Sequence, residues 1–200
     1  MGVKKITRSR LLQGASYLLS IRGYAGTSMK EIGRILGIDK ASLYHYYPSK
    51  KALTLAVLEA EQQQAYEQLF SIAWCIDKPV HKRAIQFAQA MEEFILNREG
   101  GCLMANLASE VANQIPEFSD QIRCYFDAWR EALSRLNENP ELEQTIAWAN
   151  DYIARLQGNI MLYILFKNKL ALQRQIMELH ELEQPGVRKE RVCEYDYQNE

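Results

Sequence analysis

Apolar residues recur along most of the chain at intervals of three and four positions, which is the period of an α-helix. Strand-like alternation of apolar and polar residues is absent, so the sequence predicts an all-α fold. A first helical segment contains Ile6 and Leu18 and ends at Gly23, since glycine commonly follows a last helical turn. The further predicted helices cover residues 28–36, 40–47, 50–74, 79–96, 102–112, 116–136, 141–166 and 170–182, with a kink near Gly158.

Two of these helices are short and are marked by their end signals. Ser28 and Glu31 have the spacing of a capping box, in which each side chain bonds to the other residue's backbone N–H. Gly37 ends the first short helix, Asp39 can cap the second, and Pro48 ends it. The tight turn between them predicts a helix-turn-helix motif. Four apolar residues are expected to hold the two helices together: Ile32, Ile35, Ile38 and Leu43.

The basic residues are concentrated in the segment that contains this motif. Residues 1–52 contain ten Lys and Arg against two Asp and Glu, a net charge of +8, and the other 148 residues have a net charge of −9. Such a contrast favours a polyanion as the partner of the N-terminal segment. A chance asymmetry between solvated faces is the alternative.

The second short helix carries side chains that can read DNA. An α-helix fits the major groove, and the side chains at its N-terminal end reach the base edges. Short side chains allow a close approach, and the ring residues add hydrogen-bonding groups and flat apolar faces. The side chains expected on its exposed face are those of Lys40, Ala41, Ser42, Tyr44 and His45.

Residues 7–58 resemble the tetracycline-repressor (TetR/AcrR) family of bacterial transcriptional regulators. The resemblance rests on Arg22-Gly23-Tyr24, Thr27-Ser28, Gly37-Ile38 and, most specifically, the ordered string Leu43-Tyr44-His45-Tyr46-Tyr47-Pro48-Ser49-Lys50-Lys51-Ala52-Leu53. It implies a three-helix helix-turn-helix head (residues 4–64), a helical ligand-binding and dimerisation body (65–183) and a polar tail (184–200). The implied function is that of a repressor that binds a palindromic operator on double-stranded DNA as a homodimer and is released by a small ligand.

The resemblance also implies roles for single residues of the head. Thr27 and Ser28 would hold a backbone phosphate through their hydroxyls and N–H groups, and Tyr46 and Lys50 would hold another. Lys40, Ser42, Tyr44 and His45 would face bases or the flanking phosphates. Tyr47 is expected in the core. This chain departs from the family pattern at Asp39, which places a negative charge near DNA, and at Gly33.

The body contains a candidate dimer seam and a candidate effector pocket. By resemblance, the helices at 116–136 and 141–166 of two protomers form a four-helix bundle; the alternative is a monomer that buries these faces internally. Apolar and aromatic residues could line a pocket for a small apolar or electrophilic effector, although residues at this spacing also form ordinary core. The pocket candidates are Met91, Phe94, Cys102, Met104, Phe126, Trp129, Trp148 and Tyr163.

Cys102 follows two glycines in a segment that resembles the glycine-cysteine-leucine start of the sixth helix in one branch of the family. A thiol at a helix N-terminus can have a lowered pKa, which makes Cys102 a candidate sensor of electrophiles or oxidants. The alternative is a small buried apolar residue. Control by a protein partner or by thiol modification at Cys102 is therefore the second hypothesis for how the protein is regulated.

Several other function classes are disfavoured. The longest apolar run, Ile160–Phe166, is too short to span a bilayer, and no secretion signal opens the chain. The four cysteines do not have the spacing of a disulfide framework, so a cytoplasmic protein, associated with the bacterial nucleoid when bound to DNA, is expected. Phosphate-loop, serine-elbow and metal-ligand patterns are absent from the sequence. We therefore expect neither catalysis nor a cofactor or metal.

Overall fold

The computed structural model describes residues 6–111, 113–137 and 142–182. Over these ranges the chain forms helices and contains no strand, so the predicted all-α fold is confirmed. The α-helices are α1 (Arg8–Arg22), α2 (Met29–Leu36), α3 (Lys40–Tyr46), α4 (Lys50–Gln68), α5 (Val80–Leu96), α6 (Leu103–Val111), α7 (Pro116–Ser134), α8 (Leu142–Phe166) and α9 (Leu170–Met177). Two 3₁₀ segments cover Phe70–Trp74 and Glu178–Glu181.

The fourth helix is shorter than the sequence predicts. It ends at Gln68 rather than near residue 74, because Leu69 leaves the helical conformation and the chain continues as a 3₁₀ turn. The turn places Phe70 in the core, with ring centroids 5.5 Å from Tyr125 and 5.9 Å from Trp129. Burial of this ring explains the change of direction, which local helix periodicity does not encode. The predicted helix start at 141, the last position of 102–112 and the tail at 184–200 lie outside the described residues.

Helices α1 to α3 form the N-terminal head. Ser28 makes the predicted capping box with Glu31, and Gly37 adopts the left-handed conformation that ends α2. Ile32 and Leu43 are fully buried between the helices. Ile35 was predicted in this core but is 45% exposed, because Ile38, after the turn, packs against the core instead.

Helix α4 belongs to both parts of the molecule. It packs against α1 of the head and against α7 of the body, and a single hydrophobic core runs through both. The predicted domain boundary at residue 64 therefore falls within a helix that links the two parts. Helix α8 is continuous through Gly158. None of the described helices combines the length and the apolar character needed to cross a membrane.

The carboxylate of Glu110, near the end of α6, ties the body to the head. It accepts hydrogen bonds from the backbone N–H groups of Tyr24 and Ala25, each at 2.7 Å, in the turn between α1 and α2. Gly23 makes this approach possible, because a Cβ there would lie 2.5 Å from Glu110 Oε2. Its backbone (φ 70°, ψ −180°) is also a conformation that only glycine adopts readily.

Gly23→Ala is expected to destabilise the protein far more than Gly37→Ala. Both glycines have a positive φ, but a Cβ at Gly37 meets nothing within 4 Å. Gly37→Ala should therefore cost only about 1 kcal/mol of backbone strain. Gly23→Ala adds the loss of both charged hydrogen bonds, for a total of roughly 3 kcal/mol. Equilibrium denaturant unfolding measures both free energies, and equal losses would contradict the role assigned to Glu110.

Candidate nucleic-acid interface

The N-terminus of α3 is fixed by its cap. Asp39 accepts the Ser42 backbone N–H at 2.8 Å with one carboxylate oxygen and the Ser42 hydroxyl at 2.7 Å with the other. These bonds to Ser42 lower the pKa of Asp39, so the carboxylate is charged at neutral pH. The proton of the Ser42 hydroxyl is thereby committed, and its oxygen remains able to accept a hydrogen bond from an amino group on a base.

The other side chains predicted to contact DNA form an exposed surface along α3. Lys40, Ala41, Tyr44, His45 and Tyr46 are all exposed. Lys40 Nζ lies 5.5 Å from the centroid of the Tyr44 ring, and the rings of His45 and Tyr46 meet edge to face at 6.2 Å. Two turns of helix thus present a cation, hydrogen-bonding rings and a small residue side by side, which suits the floor and walls of a major groove.

The hydroxyl contact predicted for Thr27 is wrong. Thr27 is 2% exposed, and its Oγ1 donates to the carbonyl of Gly23 at 2.7 Å. Burial of this hydroxyl stabilises the turn that leads into α2 and leaves it out of reach of a phosphate.

Ser28 is exposed, but Glu31 occupies its polar atoms. The Ser28 hydroxyl donates to Glu31 Oε2 at 2.8 Å, and its backbone N–H donates to the same oxygen at 3.0 Å. Glu31 in turn forms an ion pair with Arg22 at 2.6 Å. A phosphate at this helix end would have to displace a carboxylate, so the contact of Ser28 with DNA stays a prediction.

Lys50 has an internal role that sequence reasoning missed. Its ammonium donates to the carbonyls of Tyr24 at 2.9 Å and Thr27 at 3.2 Å, and it lies 3.9 Å from the centroid of the Tyr24 ring. Lys50 therefore fastens the α1–α2 turn to the start of α4. One donor remains for a phosphate, and that contact stays a prediction.

Arg8 joins this surface although the sequence analysis did not select it. Its Nε donates to the Tyr47 hydroxyl at 3.3 Å, which brings an exposed guanidinium to the C-terminal end of α3. Tyr47 itself is half-buried against the core, close to its predicted place. Only the excess of basic residues in the N-terminal segment pointed to Arg8, because its partner is 39 positions away.

The predicted pocket residues separate into two groups. Phe94, Cys102, Met104 and Trp129 line one small cavity in the body. The other four do not line it: Met91 is fully buried, and Phe126, Trp148 and Tyr163 are half-buried against the core. The lowered pKa predicted for Cys102 is wrong, because burial of the thiol outweighs the nearby N–H groups and raises its pKa. Among the described residues, no three His, Cys, Asp or Glu gather in a group suited to a metal ion.

Comparison with known proteins identifies the head. Residues 11–57 match the sequence model of a family described as bacterial regulatory proteins, tetR family. The head, over residues 11–57, belongs to the tetR family of bacterial regulatory proteins. The matched segment contains α2, α3 and the capped start of α4, which are the elements that expose the α3 surface. The finer assignment to a glycine-cysteine-leucine branch of the family stays a prediction.

Proteins similar in sequence to this chain are known in Escherichia coli and Bacillus subtilis. The chain is 27% identical over 123 residues to the HTH-type transcriptional repressor NemR of Escherichia coli, and this alignment spans about 60% of either chain. It is 28% identical over 178 residues to the HTH-type transcriptional regulator YxaF of Bacillus subtilis, which covers 83% of this chain and 89% of YxaF.

Solved structures share the fold over nearly the whole chain. A TetR transcriptional regulator from Legionella pneumophila superposes with a TM-score of 0.79 at 22% identity, covering 92% of this chain and all of that one. The reduced form of E. coli NemR superposes with a TM-score of 0.72 at 21% identity, covering 90% and 98% of the two chains. The likeness therefore includes the body as well as the head.

Lys40→Gln is expected to change DNA binding, whereas Lys50→Gln is expected to change the stability of the fold. Lys40→Gln removes an exposed cation from α3, so the slope of log affinity against log salt should fall by about 1 while stability changes little. Lys50→Gln breaks two hydrogen bonds and a ring contact, so it should cost roughly 2 kcal/mol of unfolding free energy. Salt-dependent duplex binding and denaturant unfolding measure these effects. An unchanged unfolding free energy for Lys50→Gln would contradict the internal role of Lys50. An unchanged salt slope for Lys50→Gln would exclude Lys50 as a phosphate contact.

Proposed function

We propose that this chain is a sequence-specific DNA-binding transcriptional repressor. The observation that carries the proposal is the exposed α3 surface, set by the Asp39 cap within a head of net positive charge. The match of the head to the tetR family and the similarity of the chain to a named repressor support the same proposal. The protein would act on double-stranded DNA in the bacterial cytoplasm, and we expect no enzymatic activity.

We infer that it binds a palindromic operator as a homodimer, because one head buries too little surface for tight recognition. Helix α7, which was expected to form part of the seam, does not support this directly, because its residues Phe118, Ile122, Tyr125, Trp129 and Leu133 fill the chain's own core. The surface available to a second protomer lies instead along α8, whose last turns expose Met161, Leu162, Leu165 and Phe166. Exposed apolar residues grouped in this way favour a protein interface.

Release from DNA is proposed to follow a shift of α6. The first turn of α6 borders the cavity in the body, while Glu110 in its last turn holds the α1–α2 turn of the head. A ligand that binds better to a shifted α6 would therefore change the position of the head relative to the body. Such a population shift requires different affinities of the ligand for the two states.

The second hypothesis is control by a protein partner or by modification of Cys102. The raised pKa of the buried Cys102 thiol disfavours modification, since the thiolate is the reactive form. The cavity in the body is small, about 20 Å³, so a small ligand would have to enlarge it, and control by a protein partner stays the second hypothesis.

Selection of bound fragments from genomic DNA, followed by binding to the recovered duplex, tests the proposal. Tyr44→Ala should lower affinity for that duplex about tenfold or more, in the range of one lost base contact, and leave binding to bulk competitor DNA unchanged. Tyr66→Ala is the matched control, because Tyr66 is 45% exposed on α4 and Tyr44 is 40% exposed on α3. No preference of the wild-type protein for any duplex over competitor would overturn the proposal.

A further inference from the structure

A small, partly enclosed cavity lies in the body between α4, α5, α6, α7 and α8. Its walls are mostly apolar or aromatic, and its volume of about 20 Å³ has room for one or two water molecules. A larger ligand must therefore move some of the lining side chains as it binds. The apolar part of the wall is formed by Phe94, Ile95, Leu103, Met104 and Ile160.

The indole N–H of Trp129 is the polar group of this wall that lacks a partner. Trp129 is 2% exposed, and its Nε1 makes no hydrogen bond within the described part of the chain. The ring is fixed by its neighbours, since it stacks on Phe126 at 6.2 Å with the planes 10° apart and meets Tyr125 edge to face at 5.8 Å. A fixed and buried donor of this kind favours a ligand that brings a hydrogen-bond acceptor.

The charged groups of the wall cancel each other. Arg98 and Glu61 are the charged residues that line the cavity, and they form an ion pair with each other. Glu61 also accepts the Ser16 hydroxyl of α1 at 2.6 Å. Cys102 and Tyr125 are uncharged, because burial raises the pKa of both. No unpaired charge of the described wall therefore favours an ionic ligand, and burying an ion there would cost its hydration.

An open groove leads to this cavity from the junction of head and body. The groove has a volume of about 710 Å³ and lies between α1, α4, α5 and the start of the α5–α6 loop. Glu61, Phe94 and Arg98 line both the groove and the cavity, so these three side chains form the wall between them. The Arg98 guanidinium lies 4.0 Å from the centroid of the Phe94 ring, so these two side chains close the wall by direct contact.

We propose that the cavity binds a small, uncharged, largely apolar molecule with one carbonyl-type oxygen, which accepts the Trp129 indole N–H. The molecule passes from the groove between Phe94 and Arg98, and it expands the cavity against the first turn of α6. This inference rests on the proposed function only for its consequence on DNA, since binding to the cavity is measurable without DNA.

Four probes with the same six-membered carbon ring and different ring substituents test the proposal on the full chain. They are cyclohexanone, methylcyclohexane, cyclohexanecarboxylate and cyclohexylammonium. Two-dimensional ¹H–¹⁵N NMR follows the indole N–H signals of Trp74, Trp129 and Trp148. We expect saturable binding of cyclohexanone, with a downfield shift of the Trp129 signal and weaker binding of the three other probes.

Trp129→Phe assigns the Trp129 signal and keeps an aromatic ring in place. It should weaken cyclohexanone binding about fivefold, as expected for one lost neutral hydrogen bond, and leave methylcyclohexane binding unchanged. Trp148→Phe is the matched control and should change neither. If Trp129→Phe folds poorly, Trp74→Phe and Trp148→Phe assign the other two indole signals, so the shift of the remaining wild-type signal still tests the contact.

Tighter binding of either charged probe than of cyclohexanone would overturn the proposal, as would equal binding of cyclohexanone and methylcyclohexane to the wild-type protein. No binding of any probe would overturn it as well and would identify the space as a water site. Operator binding without cyclohexanone binding would refute this inference alone. Cyclohexanone binding without preference for any duplex would refute the proposed function alone.

Discussion

Two hydrogen bonds from backbone N–H groups to one carboxylate tie the DNA-reading head to the body. The first turn of α6 borders the cavity, and Glu110 in its last turn binds the α1–α2 turn at Tyr24 and Ala25. Charge-assisted bonds of this kind are short and directional, so a small displacement of α6 moves the turn with it. The same turn is stabilised by three other features, namely Gly23, the hydrogen bond of Lys50 to the Tyr24 carbonyl and the hydrogen bond of the Thr27 hydroxyl to the Gly23 carbonyl.

The head and the body are joined at a second place through Glu61. This residue lies on α4, bonds to Ser16 on α1 and pairs with Arg98 after α5. Arg98 forms part of the wall between the groove and the cavity. A ligand that displaces Arg98 and presses on α6 would thus act on both of these contacts between head and body, which couples the cavity to the head.

The parts predictable from sequence are those encoded within a few residues. The caps at Ser28 and Asp39 were identified because each side chain bonds to an N–H three positions later. The exposed face of α3 followed from its helical period. The end of α4 at Gln68, the tie through Glu110 and the pairing of Arg98 with Glu61 were missed, because they depend on partners tens of positions away.

Cys102 illustrates why local reasoning failed inside the body. The N–H groups of Met104 and Ala105 do lower the pKa of the thiol, as the sequence argument expected. Burial among residues from other helices raises the pKa by more, and only the folded chain supplies that burial. The prediction for Thr27 failed for the same reason. Its position at a helix start suggested a phosphate contact, but packing buried the hydroxyl.

The most direct test is the operator affinity of Glu110→Gln, measured over a range of salt concentrations. The unfolding free energy of the same variant is measured as well, to show that it is folded. The substitution keeps the shape of the side chain and removes the charge that holds the α1–α2 turn. The account predicts weaker operator binding with an unchanged salt slope, because the head is misplaced while every phosphate contact is retained. Unchanged affinity in a folded protein would contradict the claim that Glu110 positions the head.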